Sequence, residues 1–522
     1  MIITKALIRS SIIWPNKLAI LDDDYQFTYK QLANRTAKLK SWLKKNNVKK
    51  GDRVGVLMLN DFRYIELFYA CTAIGAIIVP LNYRLSPEEL KFTLNDSGAL
   101  LLFIHKEFEK VVPFLQINTP SIEQYILADE EMKDSELLSY ENIIKNEPDT
   151  ELEYDVTDEN NVAGLFYTGG TTGRSKGVML THRNMVSNFY QTIQFTGLDH
   201  TSTYLHSAPM FHLADATFMI NAIMVGCTHT FLRMFTPKLF IDKVQKNNVT
   251  DSVLVPTMLN MVVNDPDFNR EHLKSLKKIL YGASPMPFEL LKKIQHSFPK
   301  LQFEQAYGMT EASPCLTYLT AEDHITDGTE QSERRLKSAG RVVFGVDLRV
   351  VDEHGVDVKP GETGEIIARG QNIMKGYWNL PVETTESLKD GWYHSGDMAT
   401  IDEDNYIYIV DRKKDMIITG GENVYSNEVE NVLYKHQDVI EASVIGVPDE
   451  RWGEAVLAVV VKEPKSSITE NELIQFTKNY LANYKVPKSI LFTDEIPKTA
   501  AGKILKRNLR EQFWKDTTRQ VN

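Results

Sequence analysis

Strand-like and helix-like runs alternate along this chain to about residue 330, and that alternation restricts the fold more than any other feature. Strands with helices between them bury their apolar residues when they lie side by side with the helices on their faces. The rhythm therefore predicts stacked, mostly parallel sheets. Local signals agree. Thr28 and Gln31 form a capping box, and Leu32, Thr36, Leu39 and Leu43 follow at helical spacing. Gly51-Asp52 turns the chain into the apolar run Val54 to Leu59. Leu67 to Leu81 is apolar but broken by Thr72, Gly75 and Pro80. It is shorter than the roughly 20 residues a membrane span needs, so it predicts a buried helix leading into a strand.

From about Gly345 the texture changes. Short strand patterns, Asp347 to Val351 and Glu365 to Ala368, are separated by the turn signals Glu353-His354-Gly355 and Pro360 to Gly364. These predict a small antiparallel β unit. The run Tyr406 to Val410 meets the charged stretch Asp411-Arg412-Lys413-Lys414-Asp415, where a domain boundary is expected. Beyond it, Val456 to Val461 reads as a strand, and Thr469 and Glu472 cap a helix carrying Leu473, Phe476 and Tyr480. The expected fold class is α/β. A large body over residues 1–411 would hold stacked α/β sheets and a β subdomain near 340–411. A small mobile α+β domain would follow over 412–522.

Charge narrows the function. Lys and Arg number 59 against 70 Asp and Glu, a net −11. That argues against a nucleic-acid partner while leaving room for a local basic site for phosphates. Cys71, Cys227 and Cys315 lie far apart with no zinc spacing, which suits a reducing compartment. Met1 to Asn16 lacks a signal-peptide pattern, so a cytoplasmic protein without a transmembrane segment is expected.

The strongest local signal is Tyr167-Thr168-Gly169-Gly170-Thr171-Thr172-Gly173-Arg174-Ser175-Lys176-Gly177, after the apolar run Val162 to Phe166. Glycines let backbone N–H groups close around an anion, hydroxyls add donors, and Lys176 adds a point charge. A Walker loop needs Gly directly before Lys and Ser or Thr directly after, and here Ser175 and Gly177 occupy those places. The alternative is a surface turn. The preceding strand and the terminal lysine favour a phosphate loop.

This run resembles the signature of the adenylate-forming (AMP-binding) enzyme superfamily, most closely its acyl-CoA synthetase or fatty-acid–CoA ligase branch. The family form is usually Y-T-S-G-[ST]-T-G-x-P-K-G, and this chain departs from it at Gly169 and Ser175. Further stretches match in the family's order. They are Tyr281 to Pro285, Gln305 to Glu311, Trp392 to Asp397, Asp411 to Asp415 leading to Gly420-Gly421-Glu422-Asn423-Val424-Tyr425, and Pro497 to Ile504. Pro209-Met210-Phe211-His212 resembles the segment bordering the acyl carboxylate.

The resemblance implies roles. Thr168, Gly169, Gly170, Thr171, Thr172, Gly173 and Lys176 would hold the triphosphate of ATP, and Gly282, Ala283 and Ser284 the adenine. Tyr307 would stack on the base beside Gly308 and Met309, Thr310 would contact the α-phosphate, and Glu311 would hold Mg²⁺. Asp397 and Arg412 would take the ribose, Lys414 would be the hinge, and Gly420, Gly421 and Glu422 would line the CoA channel. Lys503 would be the catalytic lysine and His212 the wall beside the acid. Taken alone, several have other readings: Tyr307 as a buried aromatic, the 411–415 run as a solvated face, His212 as a core histidine. Asp215 stands where the family often has Gly, and a carboxylate near an apolar pocket is costly unless paired.

The implied activity is an ATP-dependent acid–thiol ligase that makes acyl-AMP from a medium- or long-chain fatty acid and passes it to CoA. AMP and pyrophosphate would be released. The alternatives are loading of a carrier-protein thiol in trans, an aryl or short-chain acid, a non-catalytic nucleotide sensor and a luciferase-like oxygenation. Peripheral membrane contact and a homodimer stay open.

Overall fold

The computed structural model describes residues 1–129, 135–156, 158–168, 175–284, 286–449, 451–498 and 504–514. Among them the chain forms four sheets. The first, of eight strands, has a parallel centre built from Ile77–Pro80, Arg53–Leu57, Leu101–Ile104 and Gln124–Leu127. The second, of nine strands, runs parallel from Gln302–Gly308 through Lys278–Gly282, Asp251–Leu254 and Thr203–His206 to Thr228–Phe231. Antiparallel strands flank both parallel centres. The strand–helix alternation is borne out.

The capping box at Thr28 and Gln31 starts the helix Tyr29–Lys45, with both reciprocal bonds formed. The apolar run from Leu67 divides as expected into the helix Phe62–Ile74 and the strand Ile77–Pro80. Every residue of that helix is buried, because it belongs to the core shared by the first two sheets. Its two charges are buried with it and are paired. Glu66 accepts hydrogen bonds from Arg35 Nε at 2.6 Å and the Tyr140 hydroxyl at 2.6 Å. Arg63 Nη1 lies 3.0 Å from Asp61, the residue that caps the helix. A buried charge is tolerated only with such partners. No helix among the described residues is long and apolar enough to cross a membrane. The three cysteines are buried and unpaired with one another.

The third sheet is the small antiparallel unit, with Val346–Val351, Thr363–Gly370, Trp392–Ile401 and Ile407–Arg412 as its longer strands. The last strand reaches Arg412 instead of stopping at Val410, so two residues of the charged run are sheet. The fourth sheet begins at Ile417 and centres on the long hairpin Val439–Asp449 and Gly453–Lys462. Thr469 and Glu472 cap the helix Glu470–Lys478 as expected. Leu473 is buried there, but Tyr480 lies past the helix end and is largely exposed.

Candidate active site

The glycine–threonine run lies in sequence between two strands that pair with each other. Val162–Thr168 pairs antiparallel with Lys176–Thr181, and Thr168 and Lys176 are the last cross-strand partners. Gly169, Gly170, Thr171, Thr172, Gly173 and Arg174 lie outside the described residues. Thr168 and Lys176 stand at the mouth of the loop. At its base the Tyr167 hydroxyl donates to Asp96 at 2.6 Å. A Cβ on Gly177 would stand 3.0 Å from the Tyr167 ring, so a larger residue would crowd this turn.

The second sheet supplies the adjoining groups at the carboxyl ends of two neighbouring parallel strands, the usual place for ligands in such sheets. Gly282 pairs with Ala306, which sets the turn carrying Ala283 and Ser284 beside Tyr307. Both glycines here are sterically required. A Cβ on Gly282 would meet the Ala306 carbonyl oxygen at 2.5 Å, and one on Gly308 would meet the Pro314 carbonyl oxygen at 1.8 Å. Met309 packs against the core, and Thr310 opens the short turn that carries Glu311.

Glu311 is the electrostatic centre of this part. Burial pushes its carboxyl above the usual carboxylate range, a shift only partly opposed by the Tyr377 hydroxyl and the charges of Arg412 and Lys176. The Tyr377 hydroxyl donates to Glu311 Oε1 at 2.9 Å, while Lys176 Nζ lies 5.0 Å from the centre of the same ring. Tyr377 thus joins the mouth of the loop to the carboxylate. Tyr377 is placed by a two-residue strand that pairs with Lys176–Thr181.

The third sheet brings Asp397 and Arg412 opposite each other as cross-strand partners, with Arg412 Nε 3.5 Å from Asp397 Oδ1. The Tyr307 hydroxyl, arriving from the second sheet, donates to Asp397 Oδ2 at 2.7 Å. Burial beside that carboxylate keeps the phenol well above its ordinary range, so it stays a donor. Ser395, which stands where the family usually has Thr, donates to the Ile366 carbonyl at 2.7 Å and accepts from the Asp397 N–H at 3.1 Å. Ser-Gly-Asp is strand here, not loop, with Gly396 at φ +71°.

His212 is the N-cap of the helix Leu213–Val225. Phe211 and His212 have ring centres 4.3 Å apart. Asp215 is completely buried and paired with His206, which answers the cost anticipated for a carboxylate at that position.

At the boundary, Lys413 N–H donates to the Gly396 carbonyl, and the Lys414 carbonyl accepts from Arg510 Nη1 at 2.9 Å. Asp411 faces the other way. Its Oδ2 accepts from the Ser426 N–H at 2.5 Å and from the Ser426 hydroxyl at 2.7 Å. Lys506 bonds Ser426 and lies 2.7 Å from Glu430, so three segments meet there. Gly420 and Gly421 form a two-residue hairpin turn between Thr419 and Glu422, both with positive φ, as tight hairpins of this hand require. All three of Gly420, Gly421 and Glu422 are exposed. The Gly420 N–H donates to the Trp452 carbonyl at 2.8 Å, and a Cβ on Gly420 would stand 2.8 Å from the indole. Lys503 lies outside the described residues.

The donor set at Glu311 fits a divalent cation. One desolvated carboxylate linked through Tyr377 to Lys176 is the type of donor that would hold Mg²⁺ together with nucleotide phosphates. The structure thus brings Thr168, Lys176, Tyr307, Glu311, Asp397 and Arg412 into one connected set, while His212 and the Gly420 turn stand on separate elements. Sequence reasoning missed Tyr377 and Trp452. Tyr377 is 66 positions from the carboxylate it contacts, and no local pattern signals such a pair.

Comparison with known proteins adds a second line. The AMP-binding enzyme model matches residues 11–378, and the AMP-binding enzyme C-terminal domain model matches 428–503. A feruloyl-CoA synthase from Amycolatopsis sp. is 39% identical over 511 residues, 97% of this chain and 98% of the relative. A fatty acid–[acyl-carrier-protein] ligase from Streptomyces coeruleorubidus is 35% identical over 97% of this chain and 96% of its own. Among solved structures, ATP-bound MatB from Rhodopseudomonas palustris superposes with a TM-score of 0.88 at 26% identity, covering 98% of this chain and 99% of that one.

Proposed function

Since the chain belongs to the AMP-binding enzyme family, we propose that it is an ATP-dependent acid–thiol ligase that activates a carboxylic acid as acyl-AMP and transfers it to CoA. The observation that carries this reading is the junction at Glu311. A phosphate-loop mouth, a desolvated carboxylate and a ribose-type Asp397–Arg412 pair converge there from three sheets.

Joining an acid to ATP sets two anions against each other, so positioning and charge neutralisation are the main tasks. In the first step an acid oxygen attacks the α-phosphorus, and the bond to the β-phosphate oxygen breaks to release pyrophosphate. Thr168 and Lys176 hold the phosphates, Tyr307 covers the base beside Gly282, Ala283 and Ser284, and Asp397 with Arg412 fixes the ribose. Thr310 contacts the α-phosphate, and Lys503 bears on the charge that develops there. Mg²⁺ bound at Glu311 would neutralise phosphate oxygens. In the second step the thiol sulfur attacks the acyl carbonyl, the thiol proton is lost, and AMP leaves. The domain of residues 412–522 turns about Lys414, withdraws Lys503 and brings up the Gly420–Glu422 turn. Trp452 backs that turn and gives the CoA arm an indole to lie against.

The motifs support a fatty acid as substrate. The feruloyl-CoA synthase relative supports an aryl acid, and the carrier-protein ligase relative supports a carrier thiol as acceptor. One experiment separates them. AMP and pyrophosphate release is followed over a ladder of acids from acetate to palmitate, plus cinnamate-type acids, with CoA, with carrier protein and with neither. Turnover with CoA on at least one acid is expected. If no acid supports AMP release by the folded chain, the ligase reading fails.

A further inference from the structure

A buried polar network holds the acid side of the site, and none of the roles above uses it. The stretch from His206 to His212 leaves the strand Thr203–His206 and ends as the N-cap of the helix Leu213–Val225. Asp215, in the first turn of that helix, is completely buried. Its Oδ2 accepts from His206 Nδ1 at 2.6 Å and its Oδ1 from the Tyr204 hydroxyl at 3.2 Å. The chain continues through His206 Nε2, 2.9 Å from His229 Nδ1.

Packing reinforces the same contact. The His206 ring stacks on His229 at 5.3 Å and on Phe231 at 4.9 Å. Phe218, three residues beyond Asp215 and so on the same helix face, stacks on Tyr204 at 5.7 Å and 8°. The helix therefore docks through one polar and one aromatic contact to the strand that feeds the His212 segment. Asn60 grips that segment from the loop between the strand Arg53–Leu57 and the helix Phe62–Ile74. Its amide donates to the His206 carbonyl at 3.0 Å and the Ala208 carbonyl at 2.8 Å, and its oxygen accepts from the Met210 N–H at 2.8 Å.

A buried carboxylate–imidazole pair adds little stability over well-packed apolar side chains, but it tolerates one geometry only. A contact of that kind suits the task of fixing position. We propose that Asp215 and His206 are a positioning pair for the acid: they fix the first turn of the helix, and with it His212, where the acid's carboxylate binds. This rests on the reading of His212 as the wall beside the acid.

The test is a KM split. Under the assay above, Asp215→Asn should raise KM for the acid about tenfold, as for loss of one charge-assisted hydrogen bond, with KM for ATP within about twofold of the native value. A variant that merely folds less well has fewer active molecules, which lowers kcat and leaves both KM values in place. His206→Asn keeps a donor where Nδ1 stands and should retain most of the native acid KM, whereas His206→Leu removes it and should match Asp215→Asn. The proposal is overturned if His206→Asn is as impaired as His206→Leu, or if the KM values for acid and ATP rise together. Native turnover with unchanged variants sinks this inference alone. Absence of native turnover on every acid sinks the ligase reading instead.

Discussion

The Tyr307 hydroxyl donates to Asp397 Oδ2 at 2.7 Å across two different sheets, while Asp397 Oδ1 faces Arg412 Nε at 3.5 Å. One carboxylate thus holds both the aromatic ring and the guanidinium. Asp397→Asn removes the charge and should raise KM for ATP about 10- to 100-fold. Tyr307→Phe removes one neutral donor and should raise it only several-fold. ATP-dependent pyrophosphate release checks both. Equal effects would mean that Asp397 matters only as an anchor for the tyrosine.

Glu311 is held above the usual carboxylate range by burial, so the folded chain binds its proton more tightly than the unfolded chain does. The stability contributed by this group is complete below the ordinary glutamate value, about pH 4, and is lost as pH rises through the folded value. Glu311→Gln stays neutral and keeps an oxygen for the Tyr377 hydroxyl. It should therefore unfold at a higher temperature than the native chain at pH 7, with the gain shrinking toward pH 4, and should lose adenylation. Thermal melts at the two pH values decide it. A lower melting temperature at pH 7 would show that the negative charge stabilises the fold.

Gly308 has no room for a methyl group, because the Pro314 carbonyl oxygen would lie 1.8 Å from it and backbone cannot swing aside. Gly308→Ala should cost about 1–3 kcal/mol of folding stability and displace Tyr307. Denaturant melts and KM for ATP measure the two parts. Native behaviour in both would mean that the strand end shifts freely.

Lys503→Ala should abolish acyl-AMP formation yet leave thioester formation from supplied acyl-AMP largely intact. Separate assays of the two half-reactions test this assignment. Equal loss of both in a folded variant would remove the division of roles.

Lys414→Pro fixes φ at the boundary while leaving the donors observed there, Lys413, Asp415 and Met416, in place. Thioester formation should slow more than adenylation. Single-turnover measurements of each step give the ratio, and an unchanged second step would argue against a hinge at this residue.

Local signals read well in this chain. The capping boxes at Thr28 and Thr469 became helix starts because both partners lie within one turn. Arrangements set by distant partners did not. Nothing near Thr168 says that the loop returns along its own strand, since a glycine–threonine run suits a strand–loop–helix passage equally well. Ser395-Gly396-Asp397 reads as a turn by composition, yet it lies within the strand Trp392–Ile401, whose flanking residues pair with Thr363–Gly370 and whose Asp397 pairs with Arg412. Asn60 and Met210 are 150 positions apart, and only the stacking of two sheets makes them neighbours. The motif residues were legible by type and order, while the tyrosine and asparagine that hold them in place were not.

Asp411 and Arg412 are adjacent in one strand, and adjacent side chains leave a strand on opposite faces. Arg412 reaches the Asp397 carboxylate, and Asp411 moors Ser426 of the C-terminal segment. The third sheet's pair and the anchor of the C-terminal segment are therefore separated by a single peptide plane. A twist of this strand that re-aims one side chain re-aims the other, so the contact to Asp397 and the contact to Ser426 share one backbone constraint.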